Sequence, residues 1–174
     1  DEPFNPLTLA LGAGATFIAR TIDKESKHMQ EMITESYHHR GTSFLEIYQN
    51  CNIFNDGAYS DFTDRDTKSD TVLWLKDGEP MVFGADSNKG IRLDGNIPTV
   101  VELGDKWSKD DLLIHNKRDY MIASMLSNMT SKPETPEPIG VLYAIDAPTY
   151  EDNISNQIKS AIDIKPKGSI QDII

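Results

Sequence analysis

Residues 16–49 read TFIARTIDKESKHMQEMITESYHHRGTSFLEIYQ, and this stretch decides the fold. Thr16 to Thr21 form a short β-branched and aromatic run of strand type. Asp23 or Ser26 can then cap a helix whose Met29, Met32, Ile33 and Tyr37 recur at helical spacing, with Gly41 as its stop. The segment SFLEIYQ, Ser43 to Gln49, is again dense in strand formers. Two strands joined by a helical crossover run parallel, with a right-handed connection, so an α/β sheet is predicted. In such sheets function gathers at the carboxyl ends of the strands, which is where the polar loop Asn50 to Asp56 falls.

Working outward, Asn5 and Pro6 suit an N-cap and the first position of a two-turn helix that Gly12 and Gly14 end. Downstream, DFTDRDTKSD (Asp61 to Asp70) is charge-mixed and reads as loop. Two antiparallel hairpins are predicted next, one turning at Asp77 and Gly78, the other at Asp94 and Gly95, each Asp-Gly lying between apolar runs. Ser108 and Asp111 open a short helix, and Asp119 to Met129 places Met121, Ile122, Met125, Leu126 and Met129 on one helical face. Thr130 to Pro138 reads as a linker, Pro138 to Ile145 as a strand, and the last thirty residues as a polar tail that needs a partner surface to order.

The 174 residues suit one domain, and no apolar run approaches the roughly 18 residues of a membrane span. A formal charge of −11 disfavours phosphate backbones, whose binding depends on Lys and Arg, so no nucleic-acid partner is expected. The same charge makes this chain a poor dock for an acidic protein unless Lys and Arg gather locally. With Cys51 alone no internal disulfide forms, which fits a reducing, cytoplasmic setting, and no secretory signal is visible. A chain that opens DEPFNP, with Asp at position 1, reads as a piece of a longer protein.

As an isolated enzyme the sequence looks empty. Gly12 and Gly14 lack the third glycine and the preceding strand of a dinucleotide fingerprint. His38, His39 and His115 have no metal-binding spacing and read as surface or helix-end residues. Neither a nucleophile elbow, a P-loop nor a Gly-Asp-Gly occurs. What stands out is HRGTSFLEIYQNCNIFNDGAY, His39 to Tyr59, where a strand delivers one thiol into a loop of Asn50, Asn52 and Asn55 walled by Ile53 and Phe54. Chemistry alone leaves Cys51 open between a buried small hydrophobe, the commoner state of a free cysteine, and a ligand. A nucleophile with His39 as base is a third reading, though no orienting group is specified.

The segment GTSFLEIYQNCNIFNDGAY, Gly41 to Tyr59, closely resembles the β subunits of 2-oxoacid:ferredoxin oxidoreductases, particularly the 2-oxoglutarate type. ALGAGATFIART (10–21), PMVFG (80–84), KGIRLDG (89–95), LLIHN (112–116) and PIGVLY (138–143) support the likeness, which covers roughly residues 3 to 150. It implies an enzyme that decarboxylates a 2-oxoacid on thiamine diphosphate, passes electrons through iron-sulfur centres to ferredoxin and releases an acyl-coenzyme A. Here the chain would be the carboxy-terminal half of the β subunit, partnered by an α subunit, with the 2-oxoacid and coenzyme A as substrates.

On that resemblance, residues 1–60 finish a thiamine-diphosphate-binding α/β domain, 61–145 extend it with hairpins and helices, and 146–174 form the tail. The family's Gly-Asp-Gly and downstream Asn for magnesium, and three cluster cysteines, are absent, so no magnesium ligand is assigned and no cofactor is expected to be held by this chain alone. The family's fourth cysteine, which completes a [4Fe-4S] ligand set from a loop after a strand, matches Cys51. Peptide N–H groups of the loop and the amides of Asn50 and Asn52 would then donate to sulfur. The opposing reading is a non-catalytic α/β binding or assembly module with a buried structural cysteine.

Overall fold

A computed structural model describes residues 4–129, 134–165, 168, 169 and 171. Helix α1 (Pro6–Gly12) has Asn5 as N-cap, its side chain accepting from Thr8 N–H at 3.0 Å, and Gly14 follows at φ 86°. Then come β1 (Phe17–Ile22), α2 (Ser26–His38) and β2 (Ser43–Tyr48), the strand, helix and strand of the deciding stretch. β1 and β2 are parallel and in register from Phe17 opposite Ser43 to Ile22 opposite Tyr48. Two single turns, α3 (Ser60–Thr63) and α4 (Lys68–Thr71), occupy the segment expected to be loop. The remaining elements are β3 (Val72–Trp74), β4 (Val82–Phe83), β5 (Lys89–Asp94), β6 (Ile97–Glu102), a 3₁₀ turn at Lys109–Asp111, α5 (Tyr120–Ser127), β7 (Glu137–Ala144) and α6 (Tyr150–Ile164).

The main sheet runs in the order β2-β1-β7-β3, with β7 antiparallel to β1 and β3 parallel to β7; a second, antiparallel sheet is β4-β5-β6. The architecture is thus mixed α/β. The hairpin predicted at Asp94-Gly95 forms, with Asp94 opposite Ile97 and Gly95 at φ 61°. The one predicted at Asp77-Gly78 does not. Gly78 does turn, at φ 79°, but β3 and β4 belong to different sheets. Val72 and Leu73 are fully buried beside β7, and Leu75 N–H continues that pairing to Ile139 O at 2.8 Å, so burial overrides the turn signal.

Every residue of β1 is buried, as expected of a strand covered on both faces. Phe17 and Ala19 meet Met32 of α2 on one side. On the other, Ile18 joins Leu7 and Leu11 of α1, Leu126 of α5, Met81, Phe83 and Ile91. A third cluster, Ile22, Tyr48, Val72 and Ile139 with Tyr59, Phe62 and Trp74 against it, closes the carboxyl end of β1 and β2.

Two expectations change toward the carboxy terminus. Residues 130–133 of the expected linker lie outside the described residues, while Glu137 and Pro138 are already strand, paired with Val72 and Leu73. Residues 150–164 of the expected tail are a 15-residue helix, because Thr149 and Asp152 form a reciprocal capping box and Ile154, Ile158 and Ile162 recur every fourth residue. None of its residues is buried.

Candidate functional site

Because β1 and β2 are parallel, their carboxyl ends lie side by side, and the two following segments are tied there. Asp23 N–H donates to Tyr48 O at 3.0 Å, and Asn50 N–H to Asp23 Oδ2 at 3.3 Å. The polar groups of the loop from Asn50 bond one another. Asn50 Nδ2 donates to Asn52 Oδ1 at 2.7 Å and Asp56 Oδ1 at 2.8 Å, while Asn50 Oδ1 accepts from Gly57 N–H at 2.9 Å. Cys51 and Asn55 form an isolated antiparallel bridge, Asn55 N–H donating to Cys51 O at 3.0 Å, and Gly57 takes φ 76°.

Hydrogen bonds from Phe54 and Ile53, with a smaller share from Asn55, hold the Cys51 thiol below its ordinary value. The donors are peptide groups; both hydrogens of the Asn50 amide are used within the loop instead. Cys51 is exposed, so it is not the buried structural thiol of the opposing reading. Ile53 and Phe54 beside it are 84% and 89% exposed, an apolar wall without a covering layer in this chain.

Cys51 and His39 do not come together. His39 caps the end of α2, before β2, and Cys51 follows the end of that strand, so six residues of extended chain, about 20 Å, separate them. His39 bonds Thr16 Oγ1 at 2.9 Å through Nε2 and lies against the Phe17 ring. His38 is in the last turn of α2, as expected. His115 is not a surface residue: it is 2% exposed, with Nε2 donating to Val141 O at 2.8 Å, because it sits where the chain packs against β7.

The sequence reading missed what lies beneath the loop. Arg20 is fully buried in β1 between Glu46 of β2, 2.6 Å from its Nε, and Glu137 of β7, which pairs with Nη1. Tyr48 Oη donates to Glu137 Oε1 at 2.8 Å, and its ring lies 4.8 Å from the guanidinium. Burial pushes this hydroxyl up, with Arg20 opposing. An Arg in the middle of a run as apolar as FIARTI was the available signal, since an Arg at such a position is fully buried only when paired.

The donor set fits one share of an iron-sulfur cluster: a single exposed thiol, held below its ordinary value by peptide groups of its own turn, on a loop with an apolar wall. Among the described residues no group of three or more His, Cys, Asp or Glu could hold a metal ion.

No family model matches the chain. It is 33% identical over 171 residues to the 2-oxoglutarate oxidoreductase subunit KorB of Mycobacterium tuberculosis, covering 97% of this chain and 45% of that one. It is 26% identical over 167 residues to a 2-oxoacid:ferredoxin oxidoreductase subunit beta of Saccharolobus solfataricus, covering 95% and 44%. A 2-oxoglutarate:ferredoxin oxidoreductase from Magnetococcus marinus, solved with 2-oxoglutarate, coenzyme A and succinyl-CoA bound, has a similar fold, with a TM-score of 0.61 at 20% identity over 99% of this chain and 44% of that one. The chain is therefore a homologue of 2-oxoacid:ferredoxin oxidoreductase β subunits. Among them, the likeness to the 2-oxoglutarate type read from residues 41–59 is borne out by the Mycobacterium relative. The chain spans under half the length of these relatives.

Proposed function

We propose that this chain is the carboxy-terminal part of the β subunit of a 2-oxoglutarate:ferredoxin oxidoreductase and that Cys51 supplies the fourth thiolate to its [4Fe-4S] cluster. The observation that carries the reading is the exposed, acidified thiol at the joined ends of two parallel strands, within a stretch homologous to such subunits. The complete enzyme, with its α subunit, thiamine diphosphate and magnesium, would convert a 2-oxoacid and coenzyme A to an acyl-coenzyme A and reduce ferredoxin. Strands β1 and β2, with α2 across them, are read as part of the thiamine-diphosphate-binding fold.

In that assembly, the cluster supplies one-electron acceptance when bound. The chain's own residues act on the sulfur. Peptide N–H groups of Phe54 and Ile53 would stabilise negative charge there, which would favour ligation by the thiolate and raise the reduction potential of a bound cluster. Ile53 and Phe54 would exclude water once the rest of the enzyme covers them. A thiolate kept for iron needs a reducing compartment, which supports a cytoplasmic location. Among the described residues no helix is long and apolar enough to cross a membrane.

Anaerobic reconstitution of the complete β subunit containing this sequence tests the reading. Four irons and broad visible absorbance are expected, with Cys51→Ala losing the cluster or leaving it unstable. An intact four-iron cluster in Cys51→Ala would remove Cys51 from the ligand set.

A further inference from the structure

Every residue from Cys51 to Ala58 is exposed, so the loop has no buried side chain of its own to hold it. Its internal hydrogen bonds lie in water, where each contributes about 1 kcal/mol at best. Yet the loop closes on itself, Asn55 N–H donating to Cys51 O at 3.0 Å and Gly57 N–H to Asn50 Oδ1 at 2.9 Å, which requires a fixed backbone. Fixing must come from the base. There the ring of Tyr48, just before the loop, stacks on the ring of Tyr59, just after it, at 4.4 Å and 10°. Phe62 extends the stack, 6.1 Å from Tyr48. Such a pair contributes about 1 kcal/mol beyond the area it buries.

Tyr48 is itself held from beneath. It is 7% exposed, its hydroxyl donates to Glu137, and the Arg20 guanidinium covers its ring. Arg20 in turn spans β2, β1 and β7 through Glu46 and Glu137, so the clamp is anchored in three strands. We infer that Tyr48 and Tyr59 are positioning residues for Cys51: their stacked rings close the base of the loop, and the buried Arg20–Glu137 pair fixes Tyr48 in the sheet. The inference rests on the reading of Cys51 as a ligand only for its purpose. The clamp stands or falls without iron.

Amide hydrogen exchange on the reduced 174-residue chain tests it. In Tyr59→Ala, the amides of Asn55 and Gly57, both bonded within the loop, should exchange about tenfold faster while those of β1 keep their protection, and Tyr59→Phe should restore the slow rate. A role in overall stability alone would raise loop and β1 exchange together. Unchanged loop exchange in Tyr59→Ala, a rise shared with β1, or no rescue by Tyr59→Phe would each overturn the inference. Should Tyr59→Ala not fold, Tyr48→Phe decides, since it keeps the ring and loses only the bond to Glu137. A local rise of about threefold supports the clamp, and none overturns it. Ligation is read separately, from the cluster content of Cys51→Ala, so either idea can fail alone.

Discussion

At residue scale, Arg20 and His115 show how burial governs charge. Arg20 is completely buried, and its partners on both sides are what make a full charge tolerable there. Removing one carboxylate should therefore cost far more than an exposed pair is worth. Glu137→Leu is expected to destabilise the chain by about 3 to 5 kcal/mol in urea unfolding, whereas Asp64→Ala, which breaks the exposed pair with Lys24, should cost under about 1 kcal/mol. Equal costs would show that the buried cluster is not a structural anchor. His115 behaves in the opposite sense: burial holds its ring below the ordinary 6.5, with the Val141 carbonyl and Asp77 opposing. The unfolded chain thus binds a proton near pH 6.5 that the folded chain refuses, so stability is full above that pH and falls as pH drops toward 5. The urea midpoint should decline over that interval, and His115→Gln should flatten the decline in part, since His28 and His39 are lowered too. A slope unchanged in His115→Gln would place the titration elsewhere. Cys51 and the peptide groups of its loop were legible in the sequence, but the use of the Asn50 amide within the loop was not, because which partner a side-chain amide meets is set by the backbone φ and ψ of the turn rather than by residue type.

At the scale of elements, what was legible followed periodicity. β1, α2 and β2 could be read because two runs of strand formers flank a segment of helical period, with nothing else competing. The hairpin at Asp94-Gly95 was legible for a similar reason, since turn and apolar runs agree, whereas at Asp77-Gly78 the turn agrees and the partners do not. Helix α6 was missed because its polar content is high and its isoleucines sit on a face left largely exposed: Ile158 is 54% exposed and Ile162 40%. Its order therefore rests on the local capping box of Thr149 and Asp152 and on one exposed tertiary pair, Arg40 with Asp152. Thr149→Ala should cost the helix about 1 kcal/mol and lower far-UV helicity, yet leave the urea midpoint of the core unchanged, because α6 buries no residue. A midpoint that fell with the helicity would mean that α6 is coupled to the sheet.

For the whole molecule, composition spoke to charge but not to sheet order. Nothing in the spacing of PIGVLYAI says that the last strand inserts between β1 and β3, for strand order depends on which apolar faces meet across the chain. The net charge is a property of the sum, and it opposes folding: compaction brings 28 acidic against 17 basic side chains closer together. Salt acts on two terms of opposite sign. It screens this repulsion, and it also screens the exposed ion pairs, such as Lys24 with Asp64 and Arg40 with Asp152, each worth under about 1 kcal/mol. The buried Arg20 pair is shielded from ions and changes little. Repulsion involves all the unpaired acids at once, and the Debye length shrinks from about 30 Å at 0.01 M to about 8 Å at 0.15 M, so the excess negative charge should dominate. The urea midpoint at pH 7.5 is accordingly expected to rise as sodium chloride is increased over that range and then level off, since distant charges are screened first. A midpoint that fell with salt would mean that surface ion pairs, rather than net charge, set the electrostatic balance of the chain.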